Sequence, residues 1–282
     1  MCIRDSKGDN VGEEALDMIQ RMTRESTLQF TGTVSEKRPP KVKEGEPTPP
    51  PAYEVVASSV NLIARAVAPL PLGITDTVHV ALDTRLDNRF LDLRRSHVNA
   101  MFHLRGKILQ YGREALINEG FFETHTPKIV ATATEGGTDL FPMMYFDTPA
   151  FLNQSPQLFK QLCMSGGLER VFEVGPAFRA EKHDTYRHLN EFISFDIECS
   201  WANDDDVMGV LERMIHHMWK SVANDPESQQ FIQTINAYRA TQDEEPVEVI
   251  VPELPFPRFC LLYTSDAADE GLGVDLGGRR II

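Results

Sequence analysis

The first 70 residues alternate between apolar and polar positions in ways that predict a helix and two strands. Residues 12–24 carry apolar side chains near helical spacing, which predicts a short helix. Residues 27–35 alternate, and residues 53–66 are rich in β-branched side chains, so both segments predict strands. Between them lie six prolines, from Pro39 to Pro51, which favour an extended, solvated loop. This order predicts the remnant of a small all-β barrel.

From Leu82 onwards the pattern becomes helical. Residues 82–95 are charged and predict a helical junction. Residues 96–118 place apolar side chains along one stripe, which predicts a long helix that Ser96 caps and Gly120 ends. Residues 121–125 then predict a strand that ends before Pro127.

Residues 171–178 and 192–201 alternate strictly between apolar and polar positions, and they predict the two strands of a hairpin with one apolar face and one polar face. The apolar face is predicted to carry Phe172, Val174, Pro176, Phe178, Ile193, Phe195, Ile197, Cys199 and Trp201. The opposite face is predicted to carry Glu173, Ala177, Arg179, Phe192, Ser194, Asp196, Glu198 and Ser200. A partly solvated antiparallel sheet has the same pattern, so it remains the alternative to a functional site.

The loop that joins these strands concentrates positive charge in Arg179, Lys182, His183, Arg187 and His188. Such a cluster suits a polyphosphate, because arginine presents a planar fork to phosphate oxygens. Upstream, residues 153–161 contain a predicted helix with Ser155 as its cap and Pro156 at its first position. Gln157, Lys160 and Gln161 then share one face, although a single lysine on such a helix is usually solvated. Leu158, Phe159 and Leu162 lie towards the other face.

Composition excludes several classes of protein. The chain has 282 residues, 41 % of them hydrophobic, and its net charge of −14 argues against nucleic-acid binding through a broad basic surface. Its four cysteines form no Cys-x-x-Cys pair, so we expect neither a disulfide scaffold nor a structural zinc site. No apolar run reaches the roughly 18 residues that span a bilayer. We therefore expect a cytoplasmic protein.

Both ends of the chain have an unusual composition. Residues 1–6 and 260–282 are similar to translated sequencing-adapter strings, and the alternative is a natural tail rich in small residues. We therefore expect a genuine core of about residues 8–259. The predicted organisation of that core is a partial OB-type domain in residues 7–70, a junction in residues 71–95 and a larger domain in residues 96–259.

Several strings of residues, in their order along the chain, resemble the class II aminoacyl-tRNA synthetases, in particular the archaeal/eukaryotic aspartyl type. Residues 82–95 resemble the inter-domain junction, and G-F-F-E-T-H-T-P at residues 120–127 resembles the first class II motif. T-E-G-G at residues 134–137 resembles the mobile active-site loop. Q-S-P-Q-L-F-K-Q at residues 154–161 is similar to the amino-acid helix, and residues 178–192 resemble the second motif.

This resemblance implies a role for each matching residue. Glu135 and Gln157 would hold the ammonium region of L-aspartate, Lys160 would pair with its side-chain carboxylate, and Asp196 would orient Lys160. The implied aspartate-binding set is Glu135, Gln157, Leu158, Phe159, Lys160, Arg179 and Asp196. The implied ATP-binding set is Arg179, Ala180, Glu181, Arg187, His188, Leu189 and Phe192. Pro127 would lie at a homodimer interface.

The implied activity is ATP-dependent formation of aspartyl-adenylate, followed by transfer to tRNA(Asp), with tRNA(Asn) as a second candidate acceptor. Catalysis would rest on positioning and charge stabilisation, with Mg²⁺ on the phosphates. The acids that bind Mg²⁺ and the third motif are expected beyond Phe259, so we expect the chain as given to be inactive. Gly271 to Arg280 mimics that third motif, but no helix pattern follows it.

The expected fold is α+β, with a partial OB-type β-barrel followed by a truncated antiparallel class II catalytic domain. The alternatives are an asparagine or lysine ligase, a relaxed enzyme that charges both aspartate and asparagine tRNAs, and a non-catalytic tRNA-binding paralogue. Lys160 favours an acidic substrate, because an asparagine or lysine side chain gains little from a buried ammonium group.

Overall fold

The structure is a computed structural model that describes residues 12–36, 53–75, 79–133, 140–182, 185 and 188–257. The described residues form two compact units, one within Met1–Gly73 and Val80–Asn88 and the other within Ile74–His79 and Arg89–Ile282. In the part of the chain that is described, no helix is long and apolar enough to cross a membrane.

The first unit contains a long antiparallel hairpin. Its elements are α1 (Glu13–Gln20), β1 (Thr27–Glu36), β2 (Tyr53–Ala64) and α2 (Leu82–Asp87). The pairing of β1 with β2 is irregular at Thr31 and Gly32. Alanine could not replace Gly32 there, because its Cβ would lie 2.2 Å from the carbonyl oxygen of Val56. The two predicted strands are confirmed, whereas their membership of a partial OB-type barrel stays a prediction.

The second unit alternates helices with short and long strands. Its elements are α3 (Arg89–Asp92), α4 (Ser96–Asn118), β3 (Phe122–Glu123), β4 (Ile129–Val130), β5 (Pro142–Tyr145), β6 (Thr148–Leu152), α5 (Gln157–Ser165), β7 (Arg170–Phe178), β8 (Glu191–Cys199), α6 (Asp204–Asn224) and α7 (Pro226–Thr241). The strands form two sheets, with the orders β3-β7-β8 and β4-β6-β5.

The long helix α4 has the predicted length and the predicted end. Gly120 has a φ of 80°, and its N–H donates to the carbonyl oxygen of Ile117 at 3.0 Å. The Phe121 N–H donates to Leu116 at 3.0 Å, which completes a Schellman motif. At the other end the N-cap is Arg95, so the predicted cap at Ser96 is wrong by one residue.

The core lies between the apolar face of β7 and β8 and the helices α4, α6 and α7. Phe172 and Val174 are buried there, and Phe195, Ile197 and Cys199 pack against the same cluster. The predicted apolar face is confirmed for these five residues, whereas Ile193, which was predicted to share it, is 38 % exposed. Trp201 also departs from the prediction: it is 94 % exposed with a φ of 58°, because β8 ends at Cys199 and the alternation does not continue.

Candidate active site

The polar face of the β7–β8 hairpin forms the floor of the candidate site. The antiparallel register places Glu173 opposite Asp196 and Ala177 opposite Phe192, so all four side chains lie on one face. Glu198 follows Asp196 by two residues and shares that face. This arrangement confirms the predicted polar face of the hairpin.

Lys160 is the central charge of the site. It extends from α5, is only 9 % exposed, and its Nζ lies 3.3 Å from Asp196 Oδ1. The same ammonium group donates to the carbonyl oxygen of Ile197 at 3.2 Å and lies 3.6 Å from Glu198 Oε2. The general expectation that such a lysine is solvated is therefore wrong here, and Lys160 contacts Asp196, the residue that the resemblance assigned to orient it.

The rest of α5 is oriented accordingly. Gln157 and Phe159 are partly buried, whereas Leu158 is 46 % exposed and Leu162 is 66 % exposed. Pro156 is the N-cap rather than the first helical residue, and the Ser155 hydroxyl accepts a long hydrogen bond of 3.4 Å from the Gln157 N–H. The helix thus directs its lysine inwards and its leucines outwards.

A second group of residues lies at the Arg179 end of the hairpin. The Arg179 guanidinium carbon is 5.3 Å from the centroid of the Phe192 ring. These two residues, with Glu181 and Leu189, line a cavity of about 290 Å³. The backbone N–H of Arg179 donates to the Asn190 carbonyl at 3.0 Å, and the Glu181 N–H donates to the Asn190 side chain at 3.0 Å. An aromatic ring beside a guanidinium group suits a base joined to phosphate.

The remaining predicted residues are less closely grouped. Ala180 is partly buried between Arg179 and Glu181, and His188 is exposed, with its Nδ1 2.7 Å from the Thr185 hydroxyl. Glu135 and Arg187 lie outside the described residues. Pro127 is exposed and follows the strand that pairs with β7.

The sequence places Glu173 and Glu198 on the polar face, but sequence reasoning missed the partner of each. For Glu198, its position two residues after Asp196 was the available signal that it lies near Lys160. Glu173 is 3 % exposed and forms an ion pair with Lys128, which no local pattern indicates.

The described residues of the site can bind ligands, but they include neither a metal-binding cluster nor an activated nucleophile. Among the described residues, no group of three or more His, Cys, Asp or Glu is placed to hold a metal ion. Burial raises the pKa of the Cys199 thiol, which lies on the opposite, apolar face of the sheet. That thiol is therefore not an activated nucleophile. A buried lysine between carboxylates, an arginine and an aromatic ring remain to bind and orient ligands.

Comparison with known proteins gives a consistent set of matches. A family described as tRNA synthetases class II (D, K and N) matches residues 81–276. The aspartate–tRNA(Asp/Asn) ligase of Archaeoglobus fulgidus is 46 % identical over 260 residues, which are 92 % of this chain and 55 % of that protein. The aspartate–tRNA(Asp) ligase of Thermoplasma acidophilum is 41 % identical over 274 residues, or 95 % of this chain and 59 % of that protein.

A solved structure matches as well. The asparaginyl-tRNA synthetase of Pyrococcus horikoshii, in complex with asparaginyl-adenylate, superposes with a TM-score of 0.73 at 28 % identity. The match covers 97 % of this chain and 58 % of that one. The chain therefore spans a little more than half the length of the relatives it matches.

Proposed function

The chain belongs to the class II tRNA synthetases of the D, K and N type, and on that premise we propose that it forms the amino-acid-binding and ATP-binding part of an aspartate–tRNA ligase. The observation that carries the proposal is the position of Lys160. Its side chain is buried against the face of the sheet that also carries Phe192. The guanidinium group of Arg179 lies beside the ring of Phe192. A buried cation on the same face of the sheet as Phe192, which lines the cavity beside Arg179, suits an amino acid with an anionic side chain bound next to a nucleotide.

The proposed chemistry uses residues of this chain to bind and orient two substrates. The α-carboxylate of L-aspartate attacks the α-phosphate of ATP, which gives aspartyl-adenylate and releases pyrophosphate. Lys160 holds the side-chain carboxylate, with Asp196 and Glu198 fixing the position of its ammonium group. Arg179 stabilises charge at the α-phosphate, and Phe192 stacks on adenine. Such catalysis depends on preorganised charge and needs no protein nucleophile.

Gln157, Leu158 and Phe159 complete the proposed aspartate site from α5, with Glu135 from the loop outside the described residues. Ala180, Glu181, Arg187, His188 and Leu189 complete the proposed ATP site. Mg²⁺ would bind the phosphates of ATP, but the described residues supply no cluster of acids for it, and we assign it no step here.

The proposal extends to the wider setting of the protein. The adenylate is transferred to tRNA(Asp), and tRNA(Asn) is a second candidate acceptor, because the relative from Archaeoglobus fulgidus is an aspartate–tRNA(Asp/Asn) ligase while that from Thermoplasma acidophilum is an aspartate–tRNA(Asp) ligase. The first unit is proposed to be part of an OB-type anticodon-binding domain, because β1 and β2 form a long, irregular antiparallel pair. We propose a cytoplasmic location. That residues 1–282 alone do not turn over stays a prediction, which aspartate-dependent ATP–pyrophosphate exchange tests.

We further propose that the chain forms a homodimer through the surface around Pro127. Four apolar residues near it are well exposed: Phe122 at 59 %, Ile129 at 49 %, Met144 at 68 % and Tyr145 at 55 %. Ile129 and Tyr145 line one surface cavity, and exposed apolar residues of this kind suit a self-complementary interface. Sedimentation at roughly tens of micromolar should detect a dimer.

A matched pair of substitutions tests the surface itself. Ile129→Glu should shift the protein to monomer. Val34→Glu should not, although Val34 is 65 % exposed in the other unit. A wild-type protein that sediments only as a monomer, or equal effects of both variants, would contradict the assignment.

The experiment that tests the proposed substrate is calorimetric titration of the chain with three sulfamoyl adenosines, which carry aspartyl, asparaginyl and lysyl groups. These compounds resemble the adenylate but do not hydrolyse. We expect the aspartyl compound to bind most tightly and ATP to compete with it. Tighter binding of the asparaginyl or lysyl compound would support the corresponding ligase, and binding of none would favour a non-catalytic paralogue.

A further inference from the structure

Glu173 is a buried carboxylate in the floor of the site to which the proposed reaction gives no role. It is 3 % exposed, and its Oε1 pairs with the Nζ of Lys128. Its Oε2 accepts hydrogen bonds from the Thr126 N–H at 3.2 Å and from the Thr126 hydroxyl at 2.7 Å. Gly175 leaves room for this carboxylate, since a Cβ there would lie 2.8 Å from Oε1. Glu173 thus fixes the segment from Thr126 to Lys128 against β7.

That segment is in turn bonded to Asn153, which is 1 % exposed. The Asn153 side chain donates to the Pro127 carbonyl at 3.0 Å, and its backbone N–H donates to the Lys128 carbonyl at 2.9 Å. The side-chain oxygen of Asn153 accepts from the Ser155 N–H at 3.1 Å, immediately before α5. A continuous set of hydrogen bonds therefore runs from Glu173 to the start of the helix that carries Lys160.

Asn153 also connects to the other half of the site. Its carbonyl oxygen accepts from the Phe178 N–H at 3.1 Å, one residue before Arg179. Asn153 thus bonds both to the segment that leads into α5, which carries Lys160, and to the end of β7, which precedes Arg179. A small shift of Asn153 would move the two charges relative to each other.

Charge balance gives a second reason for the pairing of Glu173. Glu173 and Asp196 lie directly opposite each other in the antiparallel pair, and like charges in such positions repel. Lys128 pairs with Glu173, while Lys160 pairs with Asp196. Lys128 therefore neutralises Glu173, which does not compete with Asp196 and Glu198 for Lys160.

We propose that Glu173 is a positioning residue of the aspartate site, which acts through Lys128, Thr126 and Asn153 to hold α5 and its Lys160 in place. This inference rests on the proposed function for its substrate. Its structural part stands without that function, because the order of α5 can be measured in the ligand-free chain.

The test compares Glu173→Gln with Glu123→Gln in the 282-residue chain by amide hydrogen exchange. Glu123 is the matched control, because its Oε1 accepts from Arg113 Nε of α4 at 2.9 Å and, among the described residues, it forms no hydrogen bond to the segment from Thr126 to Lys128. In Glu173→Gln, the amides of residues 153–162 should exchange roughly 10- to 100-fold faster, since charge-assisted bonds that hold them are lost. Unchanged exchange there, or the same increase in Glu123→Gln, would overturn the proposal.

A second variant covers the case in which Glu173→Gln fails to fold because Lys128 loses its buried partner. Glu173→Gln combined with Lys128→Met removes both charges together and should give the same faster exchange. Protection equal to that of the wild type in the double variant would overturn the proposal.

A ligand readout distinguishes positioning from a purely structural role. Glu173→Gln should lower the preference for the aspartyl over the asparaginyl compound, and it should add nothing in a Lys160→Gln background. If exchange rises but the preference is unchanged, Glu173 does not position Lys160. If exchange rises and the wild-type chain shows no preference at all, the aspartate assignment fails while the coupling of Glu173 to α5 stands.

Discussion

Replacement of Lys160 by glutamine is the perturbation whose effect the structure predicts in most detail. The side chain of Lys160 is 11 % exposed, and its Nζ lies 3.3 Å from Asp196 and 3.6 Å from Glu198. A carboxylate about 4 Å from an ammonium group gains about 4 kcal/mol at an effective dielectric constant of about 20. Desolvated pairs that lose one partner cost about 2–4 kcal/mol. Lys160→Gln should therefore weaken binding of the aspartyl compound by roughly 30- to 700-fold.

The asparaginyl compound is the internal reference in this assay, because its neutral amide gains little from a lysine. Lys160→Gln should therefore reduce the ratio of the two dissociation constants, which calorimetry measures directly. If Lys160→Gln does not fold, Lys160→Gln combined with Glu198→Gln keeps the same local net charge, since one cation and one anion are removed together.

Lys107 provides a matched control on the other side of the sheet. Its Nζ also lies between two carboxylates, 2.6 Å from Glu227 and 3.4 Å from Asp225, and its side chain is 26 % exposed. Lys107→Gln should leave the ratio unchanged. A folded Lys160→Gln with wild-type selectivity, or an equal loss in Lys107→Gln, would refute the role of Lys160.

Two further predictions concern stability. Gly112→Ala should destabilise the fold by about 1–3 kcal/mol, because its Cβ would lie 2.6 Å from the Phe195 ring. On the same helix, the Cβ of Gly106→Ala would meet nothing within 4 Å, so this change should stabilise the fold by about 0.5–1 kcal/mol. Urea denaturation measures both free energies of unfolding, and equal effects would contradict this packing. The hydrogen bond from the Ser228 hydroxyl holds the pKa of Asp225 well below its ordinary value of 3.8, against the opposing effect of burial. Because this pKa is lowered in the folded state, Asp225 contributes stability above pH 3.8 that is lost as the pH falls. Asp225→Asn should therefore reduce the loss of unfolding free energy between neutral and acidic pH. The same loss in the variant as in the wild type would contradict this role of Asp225.

Long periodic elements were predictable from the sequence because their signals are local. The helix Ser96–Asn118 and the strands Arg170–Phe178 and Glu191–Cys199 agree closely with the predicted ranges. In each of these elements, the periodicity of the side chains and the turn or glycine that follows it indicate the same structure. The strands of the β4-β6-β5 sheet were not predicted, because two of them have only two and four residues.

The helix α5 departs from the simple amphipathic expectation. Local hydrophobicity favours a buried Leu158 and Leu162 and a solvated Lys160, yet the structure buries the lysine and exposes both leucines. The reason lies 36 residues away, in the carboxylate of Asp196. Only the resemblance to a known family pointed to that pairing. The pairing of Lys128 with Glu173 is equally distant in sequence, and neither reasoning from patterns nor the resemblance indicated it.

A crystal structure of the chain with the aspartyl sulfamoyl adenosine bound tests directly whether Lys160 binds the side-chain carboxylate of the substrate. We expect that carboxylate at about 2.7–2.9 Å from Lys160 Nζ, with adenine stacked on Phe192. A ligand whose side chain contacts Lys160 through no carboxylate oxygen, or that binds away from the β7–β8 hairpin, would contradict this expectation.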